Sequence, residues 1–319
     1  MPLSESSLIS RIRRRTKPKN AVVLGIGDDC AIVRIPDSHD SLLTTDFTLE
    51  GIHFRRKWHP PEVVGHRCLT RGLSDIAAMG GQPIAAFLSL ALPRKIPQVW
   101  VDRFMRGFLK LAHRFNVSLA GGDTAESPAG ILADIVVLGS APRGTAIPRS
   151  GAHPGDFIYV TGALGGSAAS LQLLLSGKKL RPADFPAHYH PTPRQEVGRY
   201  LREKRIASAM IDISDGLSTD LSHICDESGV GAEINSGAIP LAMIGQPPRK
   251  VDLNFALHGG EDYELLFTAP ERVTVPPQIA GVPITRIGRV TRSERLSLIQ
   301  NGKKTLLRPE GWQHFAVRR

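Results

Sequence analysis

The sequence predicts a protein of the α/β (α+β) class with two domains. Its 319 residues exceed the length at which a single hydrophobic core usually stops growing. Short apolar runs alternate with longer segments of helical periodicity, which is typical of mixed sheets packed with helices. Residues 142–154 are rich in Pro, Gly and Arg and lack periodicity. We therefore place a domain boundary there, between residues 1–142 and 143–319.

Each half of the chain supplies strands and helices in turn. The first half predicts strands at 21–24, 31–35, 42–45, 85–92, 117–120 and 131–141 and helices at 62–79 and 97–115. The second half predicts strands at 157–161, 209–213, 263–268, 284–290 and 296–300 and helices at 167–175, 194–204 and 215–227. Asp215 would cap the last of these helices, and Asn301-Gly302 indicates a hairpin turn.

The composition is that of a globular protein and argues against membrane, secreted and disulfide-rich classes. Hydrophobic residues make up 41% and charged residues 22%, which is ordinary for a globular protein. The sequence has no run of 18 apolar residues, so we expect no membrane span. A secretory signal would need an apolar segment beside the basic residues 11–19, and none of that kind accompanies them. The three cysteines are scattered, which argues against a disulfide framework and favours a cytoplasmic location.

The net charge of +10 allows two interpretations. Clustered Lys and Arg would neutralise the phosphates of a nucleic acid, whereas a dispersed basic surface would attract small anions. Outside residues 11–19 the basic residues are dispersed, and aromatic residues are only 6%, so platforms for base stacking are few. We favour the second interpretation and expect neither a nucleic-acid nor a membrane partner.

Carboxylates recur beside glycines throughout this basic chain. The clusters are Gly27-Asp28-Asp29, Gly121-Gly122-Asp123, residues 212–216 and residues 259–262, and Asp46 and Asp75 lie in similar settings. A single Asp after Gly usually only forms a turn. Here most of these aspartates fall at ends of predicted strands, where ligands collect in open α/β sheets. Their repetition in both halves favours a shared binding role.

The donor types indicate hard divalent cations. Carboxylates and the hydroxyls of Thr44 and Thr45 suit Mg²⁺, Mn²⁺ or Ca²⁺, whereas His and Cys are not arranged for zinc. Mg²⁺ takes one or two carboxylates per ion and completes its shell with water and phosphate. So many carboxylates predict several ions and a polyphosphate ligand. Without cations, each carboxylate–phosphate pair at about 4 Å would repel by roughly 4 kcal/mol at a dielectric near 20.

Known phosphate-binding loops are missing or incomplete. Residues 176–179 lack the upstream glycine and the Ser or Thr of a Walker A motif, and the protein-kinase signatures are absent. Residues 161–167 follow a predicted strand and open a predicted helix, so the helix N-terminus could cradle a phosphate. Because this segment is not GxGxxG, we favour a packing turn.

Eight short strings follow one another along the chain: GIGDDCAIV (25–33), TTDFTLEGIHF (44–54), LSDIAAMGGQP (73–83), AGGDT (120–124), RSGAHPGD (149–156), IDISDGLSTDL (211–221), GGEDYELLFT (259–268) and GWQHF (311–315). Taken in this order, they resemble the thiamine-monophosphate kinase family. Each string alone is a weak signal, but the full series with family-like spacing covers nearly the whole chain.

The resemblance implies a fold and an activity. The fold would be the two-domain aminoimidazole-ribonucleotide-synthetase type, each domain a mixed β-sheet packed with helices, with N-terminal sheets paired across a homodimer. The first domain would bind ATP and metal and dimerise, and the second would complete the metal and substrate site. The implied reaction is Mg²⁺-dependent, direct, in-line transfer of the ATP γ-phosphate to thiamine monophosphate, giving thiamine diphosphate and ADP. No catalytic side chain is required, because the acceptor phosphate oxygen is already largely ionised.

Site residues follow by resemblance at matching positions. The metal shell would be Asp29, Thr44, Thr45, Asp46, Asp75, Asp123, Asp212 and Asp215. The ATP contacts would be Gly122, Asp123, Arg149 and Ser214, and the substrate contacts His53, Glu261 and Trp312. A guanidinium suits bidentate phosphate binding, and an aromatic face with a carboxylate suits a cationic thiazolium.

The chain departs from the family pattern at three places. Ala125 replaces a second threonine after GGD, His258 precedes GGED where a small residue is usual, and residues 11–19 are unusually rich in arginine.

The nearest alternative is another ATP-dependent enzyme of the same superfamily, making aminoimidazole ribonucleotide or selenophosphate; the latter would require an N-terminal reactive Cys in a glycine-rich loop, which we do not find. A basic nucleic-acid binder would leave the acidic glycine turns unexplained.

Overall fold

The chain divides into two compact units in the computed structural model, which describes residues 5–17, 19, 21–26 and 30–312. The first unit comprises Met1–Ile76 with Gly81–Thr145, and the second comprises Ala77–Gly80 with Ala146–Arg319. The break after Thr145 lies inside the stretch 142–154, where the sequence predicted a boundary after residue 142. Within the described ranges, every helix is too short or too polar to span a bilayer.

The first unit is a four-stranded sheet packed with helices. Its elements are α1 (Glu5–Arg15), β1 (Val22–Leu24), β2 (Ile32–Val33), β3 (His39–Leu49), α2 (Pro61–Ala78), β4 (Gln82–Pro93), α3 (Gln98–Arg114), β5 (Ser118–Ser127) and β6 (Leu132–Pro142). The strand order is β3-β6-β4-β5. β4 and β5 run parallel and the other neighbours antiparallel, while β1 and β2 form a separate antiparallel pair.

Glycines let the helices of the first unit pack closely. A Cβ on Gly65 of α2 would lie 2.0 Å from the carbonyl oxygen of Phe104, and one on Gly107 of α3 would lie 1.9 Å from that of Glu62. A Cβ on Gly72 would lie 2.5 Å from the Val137 side chain of β6. Because each distance is far below van der Waals contact, only glycine permits these approaches. They bring α2 against both α3 and the sheet, and buried apolar side chains fill the space between.

The second unit contains a larger, mainly antiparallel sheet. Its elements are β7 (Phe157–Thr161), α4 (Gly166–Leu175), α5 (Pro186–Tyr189), α6 (Gln195–Glu203), β8 (Ala209–Ile213), α7 (Leu217–Ser228), β9 (Gly231–Asn235), β10 (Met243–Ile244), β11 (Arg249–Lys250), α8 (Leu253–His258), β12 (Glu264–Ala269), β13 (Gln278–Ile279), β14 (Val282–Thr291), β15 (Leu296–Gln300) and β16 (Lys303–Leu306). The strand order is β16-β15-β9-β14-β7-β12-β8, with β13 paired to β14. β9 and β15 run parallel.

Apolar side chains on one face of the large sheet pack against α7. Ile158, Ile211 and Leu266 of the sheet share a core with Leu217 and Ile224 of α7. This packing places the N-terminus of α7 beside the end of β8, because only residues 214–216 separate the two elements.

Two features differ from the sequence-based prediction, and a third agrees with it. β3 and β5 are longer than predicted, so Asp46 and Asp123 lie inside strands rather than at strand ends. Helix α7 begins at Leu217 with Gly216 as its cap residue, so the prediction of Asp215 as the cap was wrong. The predicted hairpin is confirmed, because Asn301 and Gly302 have φ of 50° and 76° between β15 and β16.

Candidate active site

In the first unit, two predicted metal ligands meet where α2 crosses β3. The hydroxyl of Thr44 donates a hydrogen bond to the carboxylate of Asp75. The closeness of α2 to the sheet at Gly72, one turn before Asp75, makes this contact possible. The pair therefore presents two oxygen donors at the C-terminal part of α2, where the sequence placed Asp75.

Asp46, two residues after Thr44 on β3, faces the same helix α2. A guanidinium nitrogen of Arg71 lies 3.4 Å from an Asp46 carboxylate oxygen. Arg71 and Asp75 are four residues apart on α2 and therefore share a face, just as Thr44 and Asp46 share a face of β3. Arg71 partly neutralises Asp46, which sequence reasoning did not anticipate.

The side chain of Thr45 points to the opposite face of the sheet from those of Thr44 and Asp46. Successive strand residues point to opposite faces of a sheet, and the Thr45 hydroxyl donates to Asp134 of β6 at 2.9 Å. The hydroxyls of Thr44 and Thr45, which the sequence placed in one shell, thus belong to different faces. Asp28 and Asp29 lie outside the described residues.

Gly122 and Asp123 lie beside a cavity of about 550 Å³ in the first unit. Gly122 has φ of 149°, and a Cβ there would lie 1.9 Å from the carbonyl oxygen of Leu88, so β5 requires glycine at this point. The lining is mainly apolar and includes Ile9, Ile12, Cys30, Ala31, Phe87, Leu90 and Leu119. The exposed Asp123 carboxylate accepts the backbone N–H of Thr124 at 2.8 Å.

Helix α1 supplies one wall of this cavity and is anchored by an arginine. Two guanidinium nitrogens of Arg11 each lie 2.6 Å from a carboxylate oxygen of Asp102 on α3, and Arg15 approaches the same carboxylate at 3.7 Å. Part of the arginine-rich segment therefore attaches α1 to the rest of the unit.

In the second unit, a buried carboxylate organises residues 212–216, which we call the acidic turn. One oxygen of Asp220 accepts the backbone N–H groups of Ser214, Asp215 and Gly216 at 3.1, 3.1 and 3.0 Å. Asp220 lies in the first turn of α7, so it acts as an anchor for the turn that precedes its own helix. Sequence reasoning missed this role, although Asp220 stands within the string IDISDGLSTDL.

Two further segments bind the carbonyl groups of the acidic turn. The N–H of Glu261 donates to the carbonyl of Ser214 at 2.8 Å, and that of Tyr263 donates to the carbonyl of Ile213 at 2.9 Å. The N–H of Trp312 donates to the carbonyl of Asp215 at 3.0 Å. The structure thus brings Asp212, Ser214, Asp215, Glu261 and Trp312 together around one turn.

The acidic turn concentrates negative charge. Burial, followed by the charges of Asp212 and Asp215, raises the pKa of Asp220 well above its usual range. Ligand atoms of Asp215, Asp220 and His223 lie within 4.8 Å of one another. Carboxylates that oppose one another's ionisation favour a bound cation. Two of these three groups are carboxylates, and carboxylate oxygens suit the divalent ion that the resemblance implies.

The glycine-rich segment 161–167 is occupied by a protein carboxylate. Asp262 accepts the N–H of Gly165 at 2.6 Å and that of Ser167 at 3.4 Å, at the N-terminus of α4. Burial raises the pKa of Asp262 to about 7. Because a side chain already uses these amides, the segment behaves as the packing turn that we favoured. The contact also joins segment 259–263 to α4.

Two further predicted contacts, His53 and Arg149, take part in hydrogen bonds of their own. The ring Nδ1 of His53 accepts the N–H of Leu49 at 2.9 Å, which holds the ring against the end of β3. The carbonyl of Arg149 accepts from the hydroxyl of Ser228, the last residue of α7. Twelve helical residues span about 18 Å, so the backbone of Arg149 lies at the opposite end of α7 from the acidic turn.

Sequence reasoning missed several residues that shape the site. The i, i+4 spacing of Arg71 and Asp75 on a predicted helix was a usable signal for Arg71. Asp262 follows directly after the predicted contact Glu261, but nothing in the neighbouring sequence indicated that its side chain is buried. The contacts of Asp134 and Thr219 join residues far apart in the chain, which spacing alone does not predict.

Two family models match the chain in tandem. The N-terminal domain of AIR synthase related proteins matches residues 27–141, and the corresponding C-terminal domain matches residues 153–301. These matches and the mixed α/β structure of each unit define the class: an AIR-synthase-related protein with two domains, as predicted.

Full-length relatives narrow the class to one family. Thiamine-monophosphate kinase of Escherichia coli (strain K12) is 39% identical over 330 residues, covering 99% of this chain and 100% of the relative. The crystal structure of thiamine-monophosphate kinase from Stenotrophomonas maltophilia K279a matches with a TM-score of 0.80 and 34% identity over 95% of this chain and 98% of that chain. A structure of AaThiL complexed with AMPPCP and TMP matches with a TM-score of 0.77 and 36% identity over 99% of both chains. The chain belongs to the thiamine-monophosphate kinase family.

Proposed function

We propose that this chain transfers the γ-phosphate of ATP to thiamine monophosphate, producing thiamine diphosphate and ADP. The observation that carries the proposal is the acidic turn, whose backbone is anchored by Asp220, Glu261, Tyr263 and Trp312 while the charges of Asp212 and Asp215 oppose ionisation of Asp220. The match along 99% of the chain to a structure complexed with AMPPCP and TMP supports the same activity.

Mg²⁺ would be held by the oxygen donors described in each unit. Asp212 and Asp215 of the acidic turn are the ligands in the second unit, and Thr44, Asp46 and Asp75 are those in the first. Bound Mg²⁺ would neutralise phosphate charge and orient the polyphosphate. Arg71 holds the Asp46 carboxylate toward α2, and Asp220 keeps the acidic turn in place through three backbone bonds.

The cavity of the first unit would receive the nucleoside of ATP. Its volume of about 550 Å³ lies within the ordinary range for small-molecule sites, roughly 300–1,000 Å³. Apolar side chains suit the faces of a purine, and the backbone at Gly122 allows close approach because no side chain intervenes.

Substrate recognition would use groups next to the acidic turn. Trp312 is 41% exposed, so the residue is accessible to a ligand although its backbone N–H is bonded to the turn. An aromatic face and the Glu261 carboxylate would stabilise a thiazolium cation. Transfer would be direct and in line, and it would depend on positioning rather than on a general base.

The working form would be a cytoplasmic homodimer. Leu43 and Phe47 on the outer face of edge strand β3 are 71% and 53% exposed, and apolar area of this kind marks association surfaces. A second copy of the first unit would cover them. The scattered cysteines agree with a reducing compartment.

One assay tests the proposed activity. Purified protein would be incubated with ATP and Mg²⁺ and with either thiamine or thiamine monophosphate, and the products would be separated. We expect thiamine diphosphate and ADP from the monophosphate alone, and no turnover after exhaustive chelation. Formation of AMP would instead identify a pyrophosphokinase, and undiminished turnover with EDTA would refute the metal-dependent mechanism.

A further inference from the structure

Residues 310–312, here called the C-terminal strap, are bonded to the acidic turn and the start of α7 through backbone N–H groups. The N–H of Glu310 donates to the Ser218 hydroxyl at 3.4 Å, and that of Gly311 donates to the Thr219 hydroxyl at 3.0 Å. The N–H of Trp312 donates to the carbonyl of Asp215 at 3.0 Å. Three successive amides thus follow one surface of the second unit.

The strap approaches this surface too closely for a side chain at its centre. A Cβ on Gly311 would lie 2.2 Å from the carbonyl oxygen of Asp215 and 2.5 Å from the Thr219 hydroxyl oxygen. Both distances are shorter than any relaxed contact, so glycine is required. Before the strap, the buried Leu307 joins the core that contains α7.

The hydroxyl of Thr219 occupies the central position in this arrangement. Thr219 is 4% exposed, and its own N–H donates to the carbonyl of Gly216 at 3.0 Å. One residue therefore contacts the acidic turn through its backbone and the strap through its side chain. Ser218 adds a second link, since its hydroxyl also lies 2.9 Å from Nδ1 of His258.

We propose that Thr219 is a positioning residue for substrate binding: its hydroxyl holds the strap so that Trp312 stands at a defined place beside Asp215. This inference rests on the proposed function, in which Trp312 contacts the thiamine moiety. Its consequence is selective. Loosening the strap displaces the ring that contacts thiamine monophosphate. The acidic turn, with the proposed ATP contact Ser214, keeps its bonds to Asp220 and Glu261, and the nucleotide cavity of the first unit is lined by other elements.

The test compares four single variants of the full-length chain. Thr219→Val removes the hydroxyl and keeps the shape, while Thr219→Ser keeps the hydroxyl. Gly311→Ala disturbs the same contact from the strap side. Ser222→Ala is the matched control, because its hydroxyl bonds the carbonyl of Thr219 on the same helix at 2.7 Å. Amide hydrogen exchange of the peptide that follows Leu307 is measured without substrate, and KM and kcat are measured for each substrate.

We expect Thr219→Val to speed exchange at the strap amides and to raise the KM for thiamine monophosphate roughly fivefold, the effect of one ordinary hydrogen bond. Gly311→Ala should increase both at least as much, because its Cβ would also clash with the carbonyl of Asp215. The KM for ATP should change less than about twofold. Thr219→Ser and Ser222→Ala should behave like the parent chain.

Three outcomes would contradict the inference. Unchanged exchange in Thr219→Val would show that the hydroxyl does not hold the strap. Faster exchange with an unchanged KM for thiamine monophosphate would show that the position of the strap does not govern substrate binding. If Thr219→Val impairs binding of ATP and thiamine monophosphate equally, the effect is a general structural one. Failure of the parent chain to use thiamine monophosphate would refute the proposed function itself, which distinguishes the two failures.

Discussion

At the scale of single residues, the same side chain performs different tasks according to what surrounds it. Asp220 accepts three backbone N–H groups and anchors a turn, whereas Asp262 accepts two at the start of α4. Asp212 and Asp215 add charge beside Asp220. A carboxylate that accepts several backbone N–H groups, such as Asp220 or Asp262, holds the backbone in place. Carboxylates that crowd negative charge together, such as Asp212 and Asp215, are candidate ligands for a cation.

Replacing Asp212 should separate activity from stability. Because Asp212 and Asp215 both oppose ionisation of Asp220, Asp212→Asn removes repulsion as well as a proposed metal ligand. We expect kcat to fall at least about 100-fold and the melting temperature without Mg²⁺ to stay unchanged or rise. Asp226→Asn, at the exposed end of α7, should keep full activity. A variant that melts earlier and retains its kcat would identify Asp212 as a structural residue.

The pKa of Asp262 predicts a pH-dependent contribution to stability. This pKa is raised from 3.8 to about 7 by burial, so between these values the folded state binds more protons than the unfolded state. The stability contributed by Asp262 therefore falls as the pH rises through this window.

Denaturant unfolding at pH 5 and pH 7 checks this expectation. Asp262→Asn does not titrate, so the free energy of unfolding of the parent chain relative to the variant should fall by about 2 kcal/mol between the two pH values. An equal difference at both pH values would show that Asp262 is ionised throughout.

At the scale of elements, the sites arise where extended strands meet helices. Polar residues at positions 46 and 123 suggested strand ends, but both strands continue because their neighbours β6 and β4 complete the backbone hydrogen bonds. On β3 the alternation of faces then assigns Thr44 and Asp46 to α2 and Thr45 to the outer face. Helix α1 contributes differently, since Arg11 attaches it to α3 and Ile9 and Ile12 close the cavity.

The cavity formed by these elements predicts nucleotide protection of one cysteine. Cys30 is exposed and lines the cavity, whereas burial raises the pKa of Cys68 and of Cys225 to about 12. A thiol-alkylating reagent at pH 8 should therefore label Cys30 first, since the thiolate is the reactive form.

Saturating ATP with Mg²⁺ should slow this labelling at least about tenfold. Mass spectrometry of tryptic peptides locates the label, and Cys30→Ser is the control that should remove the fast phase. Labelling at the same rate with and without nucleotide would place the nucleoside elsewhere.

At the scale of the whole molecule, the proposed dimer depends on the outer face of the first sheet. Leu43→Lys and Phe47→Lys put charges on the exposed face of β3 and should convert a dimer into a monomer, because a buried unpaired charge is strongly unfavourable. Light scattering after size-exclusion chromatography measures the mass. Val99→Lys is the matched control, since Val99 is 62% exposed but lies on α3. A parent chain that elutes as a monomer, or a Phe47→Lys variant that stays dimeric, would contradict this interface.

The sequence by itself determined the fold class, the order of most elements, the family and the short strings that carry the acidic residues. Local information suffices for these features. Residues close together in the sequence determine helical periodicity, glycine turns such as Asn301-Gly302 and the run 211–221. Such features can therefore be predicted without knowing which distant residues meet.

Only the tertiary structure decided which groups meet. The Arg71–Asp46 pair, the bond from the Gly311 N–H to the Thr219 hydroxyl and the contact of Asp262 with α4 join residues separated by 25, 92 and about 95 positions. Their strength depends on burial and on the distance between atoms, and neither is encoded in spacing along the chain. For this reason the sequence could name Trp312 and Asp215 as site residues but could not show that the Thr219 hydroxyl accepts the N–H of Gly311 in the strap.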